Sequence, residues 1–510
     1  MRFFVIFVFF VLFWGFGSVS AQDNTYNIIP KPAKLTPMDG QFVFSSETRI
    51  VAPIREPDVF NAVFVLLERL LHTTQFNTQI VDNTNGDIAP DKNMIFCRIN
   101  PDMAGKEAYR MRIDRESIEI EAGSATGIFY AMQTLRQLLP AAVERNRPAG
   151  DVAIAVPCAI IEDEPSYPFR GLMLDVARHF ASESSLRRYI DVLAYHKINY
   201  FHWHLTNDQG WRIAIDIYPD LTQTGAWRDS TLIGVQTDDE AERTYRKQRY
   251  GGFYTKEQVR NIVAYAQRRF VTIIPEISMP GHSLAALAAY PELSCTGGEH
   301  AVASHWGKFD DVLCTKEETF EFVENVITEL IELFPGDYIH IGADEFSKLR
   351  WENCEQCRKK IEELGLENEH ELKDYFIARV GNIVASKDKH LLVRDDIPSL
   401  NFAFCQTQSR EREPLCADGY LPLVEVYAFD PETEQIAEAQ DISLTGAQAN
   451  LWREYISSDM QTEAMILPRL SALAETLWTP ADEQNYDDFL LRLAEILKRY
   501  DAMNIISSSP

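Results

Sequence analysis

The rhythm of hydrophobic and polar positions changes at about residue 165. Before that point, residues 111–121 alternate apolar and polar side chains, as a half-buried strand does, and residues 125–139 follow as an amphipathic helix. Pro165 and Pro168 then mark a boundary. The pattern predicts a small α+β domain over residues 22–165.

After this boundary, short apolar runs alternate with amphipathic segments. The runs predicted as strands are 171–174, 198–202, 270–274, 338–341, 391–393 and 442–446. Residues 319–333 have the apolar spacing of a helix. Strands that alternate with helices indicate a parallel sheet. The sequence therefore predicts an α/β fold, a TIM (β/α)8 barrel, over residues 166–505.

One part of the predicted barrel is short. Residues 394–443 must hold strands six and seven, although a barrel of about 250 residues spends roughly 30 on each strand–helix unit. We therefore expect trimmed units near strands 6–7.

The first residues of the chain have the features of an export signal. A positive start, Met1 and Arg2, precedes an apolar run and small residues at Val19 and Ala21. This order predicts a signal peptide over residues 1–21 and a periplasmic or secreted protein. A retained membrane anchor is the alternative, but the run is short for a spanning helix. After signal cleavage no membrane association is expected.

The charge of the chain limits its partners. Asp and Glu number 76 against 49 Lys and Arg, for a net charge of −27. Nucleic-acid binding needs basic surface to neutralise phosphates, so that class of partner is excluded. The sequence does not constrain the oligomeric state.

Eight cysteines follow the apolar N-terminal run. In an exported protein they can form disulfides, and Cys295 with Cys314 brackets a loop-like segment as the best candidate pair. Cys354 and Cys357 have the spacing of half a zinc site. The sequence offers no second Cys-x-x-Cys or His pair to complete it.

The most informative chemical feature is the adjacent pair Asp344 and Glu345. Neighbouring residues of a strand point to opposite faces, so both acids can enter one cleft only where the strand ends and turns. Gly342 and Ala343 allow such a turn. The carboxyl ends of barrel strands are where TIM barrels place catalytic groups. A solvated loop with two charges is the alternative.

Other predicted strand ends also carry polar and aromatic side chains. They lie at 175–179, 202–212, 275–282 and 448–455. Acids with tryptophans suit sugars, because sugar ring faces stack on aromatics and sugar hydroxyls bond to carboxylates. A metal-dependent hydrolase using His202 and His204 is an alternative that chelator sensitivity would separate.

These motifs resemble those of the family 20 glycoside hydrolases, the β-N-acetylhexosaminidases. The matching segments are 169–179, 202–205, 338–342, 446–452 and 468–475. The resemblance extends over about residues 24–500, including the small domain before the barrel. It implies a terminal N-acetylhexosamine on an oligosaccharide or glycoconjugate as substrate, with no cofactor and no metal.

The resemblance also implies roles for particular residues. Glu345 corresponds to the general acid/base and Asp344 to the acid that orients the substrate's 2-acetamido group, which itself attacks C1. His282 corresponds to the histidine behind the general acid. The sugar-binding residues implied are Arg178, Asp208, Trp452 and Glu454.

The chain departs from the family pattern on one side of the site. Asn207 stands where an acid is expected to bond the histidine at position 282, and Arg394 replaces a tryptophan of the pocket wall. Ser278 and Ala343 replace a usual Asp and Gly, and Cys405 stands where an Asp is expected. These changes leave two readings open: an active exported β-N-acetylhexosaminidase, or a degenerate family member that binds sugar without turning it over.

Overall fold

A computed structural model describes residues 26–509 of the chain, apart from 75, 146, 151, 344–345, 408–412, 414 and 433–444. The expected signal peptide at 1–21 and the acids Asp344 and Glu345 therefore lie outside the described residues. Within the described part of the chain, none of the helices combines the length and apolar character needed to cross a bilayer.

The N-terminal part is a seven-stranded mixed sheet with two helices. Its elements are β1 Lys34–Val43, β2 Arg49–Ala52, α1 Pro57–Thr73, β3 Gln79–Asp82, β4 Met94–Ile99, β5 Tyr109–Ile113, β6 Ser117–Ala122, α2 Ala125–Leu138 and β7 Ala155–Asp163. The strand order is β1-β7-β5-β6-β4-β2-β3. The Ser124 hydroxyl accepts a hydrogen bond from the Thr126 N–H and caps α2, which is buried along nearly its whole length. The predicted α+β domain is present.

The single strand predicted over residues 111–121 is wrong, because this segment is a hairpin of β5 and β6. The Asp114 carboxylate accepts the N–H groups of Glu116 and Ser117 and so stabilises a turn between the two strands. The alternation of apolar and polar residues continues through the turn, so periodicity alone does not show that this segment contains two strands.

The second part of the chain contains the barrel. Its strands are β8 Phe169–Asp175, β9 Tyr200–Asn207, β10 Gly210–Trp211, β11 Trp227–Arg228, β12 Thr231–Ile233, β13 Thr244–Arg246, β14 Tyr250–Gly251, β15 Thr272–Met279, β16 Tyr338–Gly342, β17 His390–Leu392, β18 Ser399–Asn401, β19 Phe404–Cys405, β20 Ala417–Tyr420 and β21 Gly446–Leu451. Its helices are α3 Glu183–Tyr195, α4 Asp220–Gln223, α5 Lys256–Gln267, α6 Leu284–Ala289, α7 Glu317–Leu333, α8 Leu349–Glu352, α9 Glu355–Leu364, α10 Glu369–Ala385, α11 Leu423–Tyr427, α12 Asp459–Ile466, α13 Arg469–Trp478 and α14 Tyr486–Ala502.

The central sheet runs in the order β17-β16-β15-β9-β8-β21-β18, and neighbouring strands along this path are parallel. Helices such as α3, α5, α7 and α10 follow its strands along the chain, so the predicted TIM-barrel fold is confirmed. Between β17 and β21, β18 is the one strand of the described residues that joins this sheet. For the described residues, this agrees with the trimming expected near strands 6–7.

Parallel pairing brings the carboxyl ends of the central strands to one edge of the sheet. β8 ends at Asp175, β9 at Asn207, β15 at Met279 and β16 at Gly342. The polar runs noted in the sequence follow these ends, which places them together.

A buried histidine away from this edge gives the fold a specific pH response. His196 lies at the end of α3, with Nε2 2.5 Å from the Tyr500 hydroxyl, and burial lowers the pKa of its imidazole to about 3. An unfolded histidine titrates near 6.5. Below about pH 6.5 the unfolded state therefore binds a proton that the folded state does not, and folding stability falls as the pH falls.

We expect His196→Gln to remove this contribution. The difference in unfolding free energy between wild type and variant should shrink by about 1.4 kcal/mol per pH unit between pH 6 and pH 4. Urea unfolding of both proteins across this range measures it. A difference that stays constant with pH would contradict the assignment.

Candidate active site

A buried arginine at the end of β8 is the centre of one half of the site. Arg178 Nη1 donates to Asp175 Oδ2 at 2.9 Å, and its Nε lies 3.2 Å from Glu454 Oε1. The guanidinium carbon lies 5.2 Å from the ring centroid of Trp452. Glu454 and Trp452 follow β21, which pairs with β8, so the sheet brings these residues together from opposite ends of the barrel sequence.

The electrostatics of this group favour a fixed cation. Burial alone would lower the pKa of Arg178, but the carboxylates of Glu454 and Asp175 more than offset it and raise the pKa. Burial likewise opposes the charge on Asp175, yet Arg178 and His204 hold its pKa below the usual range. Arg178 is therefore a charged, pre-positioned donor beside an aromatic face, and Glu454 is its more exposed partner.

His282 follows the carboxyl end of β15, and its Nδ1 lies 2.8 Å from Asp208 Oδ2. Asp208 has no exposed surface, and its second oxygen accepts the Leu284 N–H at 3.1 Å. Both carboxylate oxygens are therefore used inside the protein. This geometry makes Asp208 a positioning residue behind His282 and leaves it no free surface for the sugar contact suggested by the sequence.

The expectation that position 207 anchors His282 is wrong. The Asn207 amide nitrogen lies 3.2 Å from His204 Nε2, and its Oδ1 accepts the Asp208 N–H. The backbone at residues 207 and 208 thus directs the two side chains to different histidines. An acid, Asp208, therefore pairs with His282, and the neutral Asn207 contacts His204.

A buried charge network lies beneath the site around Glu276 of β15. Its Oε2 is 2.7 Å from His202 Nε2 and 3.0 Å from His204 Nδ1, and its Oε1 accepts from Arg394 Nη2 at 2.9 Å. Burial opposes ionisation of Glu276, but Arg394 and the neighbouring histidines hold its pKa well below the usual range. Burial lowers the pKa of His202.

This network argues against a metal site at His202 and His204. Although His202, Glu276 and His340 lie close enough to share an ion, the Arg394 guanidinium already neutralises Glu276. A divalent cation there would face this fixed positive charge. His340 Nδ1 also accepts the Gly342 N–H at 2.9 Å, which occupies the ring nitrogen that faces Glu276.

Arg394 also changes the environment of Trp452. Its guanidinium carbon lies 4.6 Å from the Trp452 ring centroid, so the arginine faces the indole at a cation–π distance. Among the described residues, the ring that contacts Trp452 is the imidazole of His204. Arg394 thus fills part of the wall where the family resemblance predicted a tryptophan.

The strand that leads to the acid pair turns as the sequence predicted. Gly342 and Ala343 both have left-handed backbone conformations, with φ of 70° and 57°. The Ala343 N–H also bonds back to the Ile341 carbonyl at 2.8 Å. Glycine takes this conformation freely and alanine pays a steric cost. Asp344 and Glu345 follow directly and lie outside the described residues.

Cys405, which stands at an expected acid position, is joined to Cys416 in a disulfide. Its side chain is buried, so it has a structural role in the trimmed stretch. Cys295 and Cys314, the pair favoured from the sequence, are both free thiols.

An aromatic cavity beside Glu454 is a feature that the sequence reading missed. It has a volume of about 320 Å³ and is lined in part by His179, Tyr250, Trp306 and Tyr455. Trp306 comes from a loop and Tyr250 from the short strand β14, and both lie outside the central sheet. The search of strand ends therefore did not include them. A single tryptophan in a polar loop, such as Trp306, could have indicated a binding residue.

A (β/α)8 barrel with a clamped arginine, a tryptophan and an aromatic cavity at its carboxyl edge has the layout of a carbohydrate-active enzyme. Residues 167–403 and 398–481 match the model of "Glycosyl hydrolase family 20, catalytic domain", and residues 25–164 match that of domain 2 of the same family. The chain belongs to glycosyl hydrolase family 20.

Relatives and solved structures agree with this membership. The chain is 38% identical to a beta-hexosaminidase of Porphyromonas gingivalis, over 96% of this chain and 65% of that protein's length. A GH20 exo beta-N-acetylglucosaminidase from Vibrio harveyi, solved with N-acetylglucosamine, is 30% identical, with a TM-score of 0.80 over 95% of this chain and 79% of that one. A GH20 beta-N-acetylhexosaminidase from Streptomyces coelicolor is also 30% identical, with a TM-score of 0.76 over 95% and 98%.

Proposed function

We propose that this protein is an exported, retaining β-N-acetylhexosaminidase that removes terminal β-linked GlcNAc or GalNAc from glycans. The observation that carries the proposal is Arg178, held between Asp175 and Glu454 beside Trp452. A fixed guanidinium with a nearby carboxylate can bind neighbouring sugar hydroxyls, and an indole face can pack on the sugar. The names of the relatives support the same substrate class.

The proposed reaction uses the substrate's own 2-acetamido oxygen as nucleophile at C1. Glu345 protonates the leaving oxygen, and after the oxazolinium ring forms it takes a proton from the attacking water. Asp344 orients the acetamide nitrogen and stabilises the positive charge that develops there. Arg178 and Glu454 hold the terminal sugar, and Trp452 packs against its acetamide side.

We propose that His282 and Asp208 support the general acid, Glu345. Asp208 fixes the orientation of the His282 ring through Nδ1, and we propose that Nε2 is the nitrogen that supports the general acid. A histidine oriented by a buried carboxylate can hold the general acid in place and carry part of its charge balance.

We expect Asp208→Asn to lower kcat by on the order of 10-fold with a smaller effect on KM, because an outer support of this kind typically costs 10- to 100-fold when it is removed. Asparagine keeps the shape of the side chain but can present an amide N–H to Nδ1, so the orientation of the His282 ring is no longer fixed. Steady-state kinetics of the wild type and the variant measure kcat and KM.

Asp216→Asn is the matched control, since Asp216 is a largely exposed carboxylate that pairs with Lys256. It should leave both kcat and KM unchanged. A kcat in Asp208→Asn equal to that of Asp216→Asn would contradict the proposed support.

A second candidate function, sugar binding without turnover, is favoured by Arg394 at the Trp452 face and by the disulfide at Cys405. Both stand where the family resemblance predicted residues of the acetamide pocket. The two functions differ in a simple measurement, because a binding protein would retain a terminal GlcNAc glycan in equilibrium binding without releasing GlcNAc.

Retention is tested by following the first anomer that forms. With a chromogenic β-GlcNAc glycoside, proton NMR at early times should show the β-anomer of the product before mutarotation. Initial appearance of the α-anomer would identify an inverting mechanism and contradict the substrate-assisted route.

The proposal includes the organisation of the chain. We assign residues 1–21 to a cleaved signal peptide, 22–165 to the N-terminal domain and 166–505 to the catalytic barrel. Mass spectrometry of the mature protein purified from its native location tests the first assignment. An N-terminus at residue 1 would contradict it.

A further inference from the structure

Four cysteines that the proposed reaction does not use meet at one place beside the barrel. Cys295 and Cys314 lie in the loop region after β15, Cys354 precedes α9, and Cys357 lies within that helix. Their sulfur atoms all lie within 4.8 Å of one another. All four are free thiols, and three of them are buried.

The sulfur–sulfur distances match those of a metal tetrahedron. Cys295 Sγ lies 3.7 Å from Cys357 Sγ, and Cys314 Sγ lies 3.8 Å from Cys354 Sγ and 3.7 Å from Cys357 Sγ. In a tetrahedral site with Zn–S bonds of about 2.3 Å, neighbouring sulfurs are about 3.8 Å apart. These three distances are too long for disulfide bonds and equal to the edges of such a tetrahedron.

We propose that Cys295, Cys314, Cys354 and Cys357 form a structural site for one tetrahedral thiophilic metal ion, with zinc as the expected occupant. Four thiolates leave no open position for a substrate, so the site is closed and structural. Iron also accepts four thiolates, and it is the second metal that such a set could hold. Cys295 and Cys314 are thus the partners that complete the half-site read from Cys354 and Cys357.

The surroundings suit thiolate ligands. The Thr315 hydroxyl donates to Cys357 Sγ at 3.4 Å, which is the kind of outer contact that stabilises a metal-bound sulfur. The Cys-x-x-Cys pair begins α9 with Cys354 as its N-terminal flanking residue, so the positive end of the helix lies near the sulfurs.

The position of the cluster gives it a structural consequence. It joins the loop after β15 to the segment after β16, and along the chain these two segments follow His282 and the acid pair. The Leu313 N–H donates to the Pro280 carbonyl, and the Trp351 indole N–H donates to the Leu313 carbonyl, both at 2.9 Å. A metal bound here would therefore fasten together the two loops that frame the site. This inference does not depend on the proposed reaction.

The metal content of the intact chain tests the proposal. The full-length protein, produced with zinc in the medium and purified without chelator or reductant, should contain about one zinc or iron per chain by elemental mass spectrometry. Alkylation after denaturation in EDTA, without reductant, should label all four cluster cysteines. In the native protein, a mercurial reagent should release the metal to a chromogenic indicator as it titrates these thiols.

Matched variants distinguish metal binding at this site from nonspecific metal binding elsewhere on the protein. Cys357→Ser and Cys354→Ser should lower the metal content from about one to near zero and lower the thermal midpoint. Cys97→Ser and Cys158→Ser replace two other buried free thiols and should keep the metal.

Three results would overturn the proposal. The first is a wild-type protein without stoichiometric metal. The second is peptide mapping that finds the four cysteines joined in two disulfides. The third is metal that persists in Cys354→Ser and Cys357→Ser. The mercurial titration uses the wild-type chain, so it decides the question even if the variants do not fold.

Discussion

Glu345→Gln should lower kcat/KM for a β-GlcNAc glycoside by about 10²–10⁴-fold, because a positioned general acid/base typically contributes that much. Glutamine keeps the size of the side chain but can neither donate the proton to the leaving oxygen nor take one from water. The loss should be smaller for substrates with a very acidic leaving group, which needs little protonation. Steady-state kinetics with two leaving groups of different acidity measure both effects.

The control for this variant is Glu352→Gln, which alters an exposed glutamate in the next helix, α8. It should retain the activity of the wild type. If Glu345→Gln turned over substrate as fast as Glu352→Gln, the acid/base assignment would be lost.

Arg178→Lys should have the second largest effect. Lysine keeps the positive charge between Asp175 and Glu454 but lacks the planar fork of donors, so it cannot reproduce the fixed geometry in which the guanidinium binds two neighbouring sugar hydroxyls. Each charge-assisted hydrogen bond contributes about 1.5–3 kcal/mol, so losing two should lower kcat/KM on the order of 10²-fold or more. The choice of lysine avoids leaving the fully buried Asp175 without a cation.

Arg187→Lys provides the comparison, because Arg187 pairs with Glu183 on the partly exposed surface of α3. Its kcat/KM should match that of the wild type. Equal activity of the two lysine variants, with Arg178→Lys folded by circular dichroism, would show that Arg178 does not grip the substrate.

The parts of the fold that could be predicted are those with a strong local signal. The fully buried strand β8 and the helix α7 lie where continuous apolar runs and 3.6-residue spacing placed them. The turn at Asp114 was missed because alternation continues through the hairpin. The bounds of helix α2 were predicted from the sequence. Its burial on nearly all sides was not, because an amphipathic pattern predicts one exposed face.

The candidate site likewise has residues whose place the sequence predicted and residues whose place it did not. Arg178, Trp452 and Glu454 follow strand ends, and the sheet brings them together as expected. The sequence predicted that position 207 contacts His282, but Asp208 does so. The backbone conformation decides which way each of two adjacent side chains points, and the sequence does not show it. The Arg394–Glu276 pair joins residues 118 positions apart, and the Cys295–Cys357 contact joins residues 62 apart. Nothing in the local sequence of either partner identifies the other.

The proposed attack by the substrate's own acetamide oxygen can be tested by comparing substrates with and without that group. Chromogenic β-GlcNAc, β-GalNAc and β-glucose glycosides with the same leaving group should be assayed side by side on the wild-type protein. We expect rapid release from one or both N-acetylhexosaminides and at most trace release from the glucoside, which lacks the internal nucleophile. Comparable cleavage of the glucoside, or no release from any of the three, would contradict it.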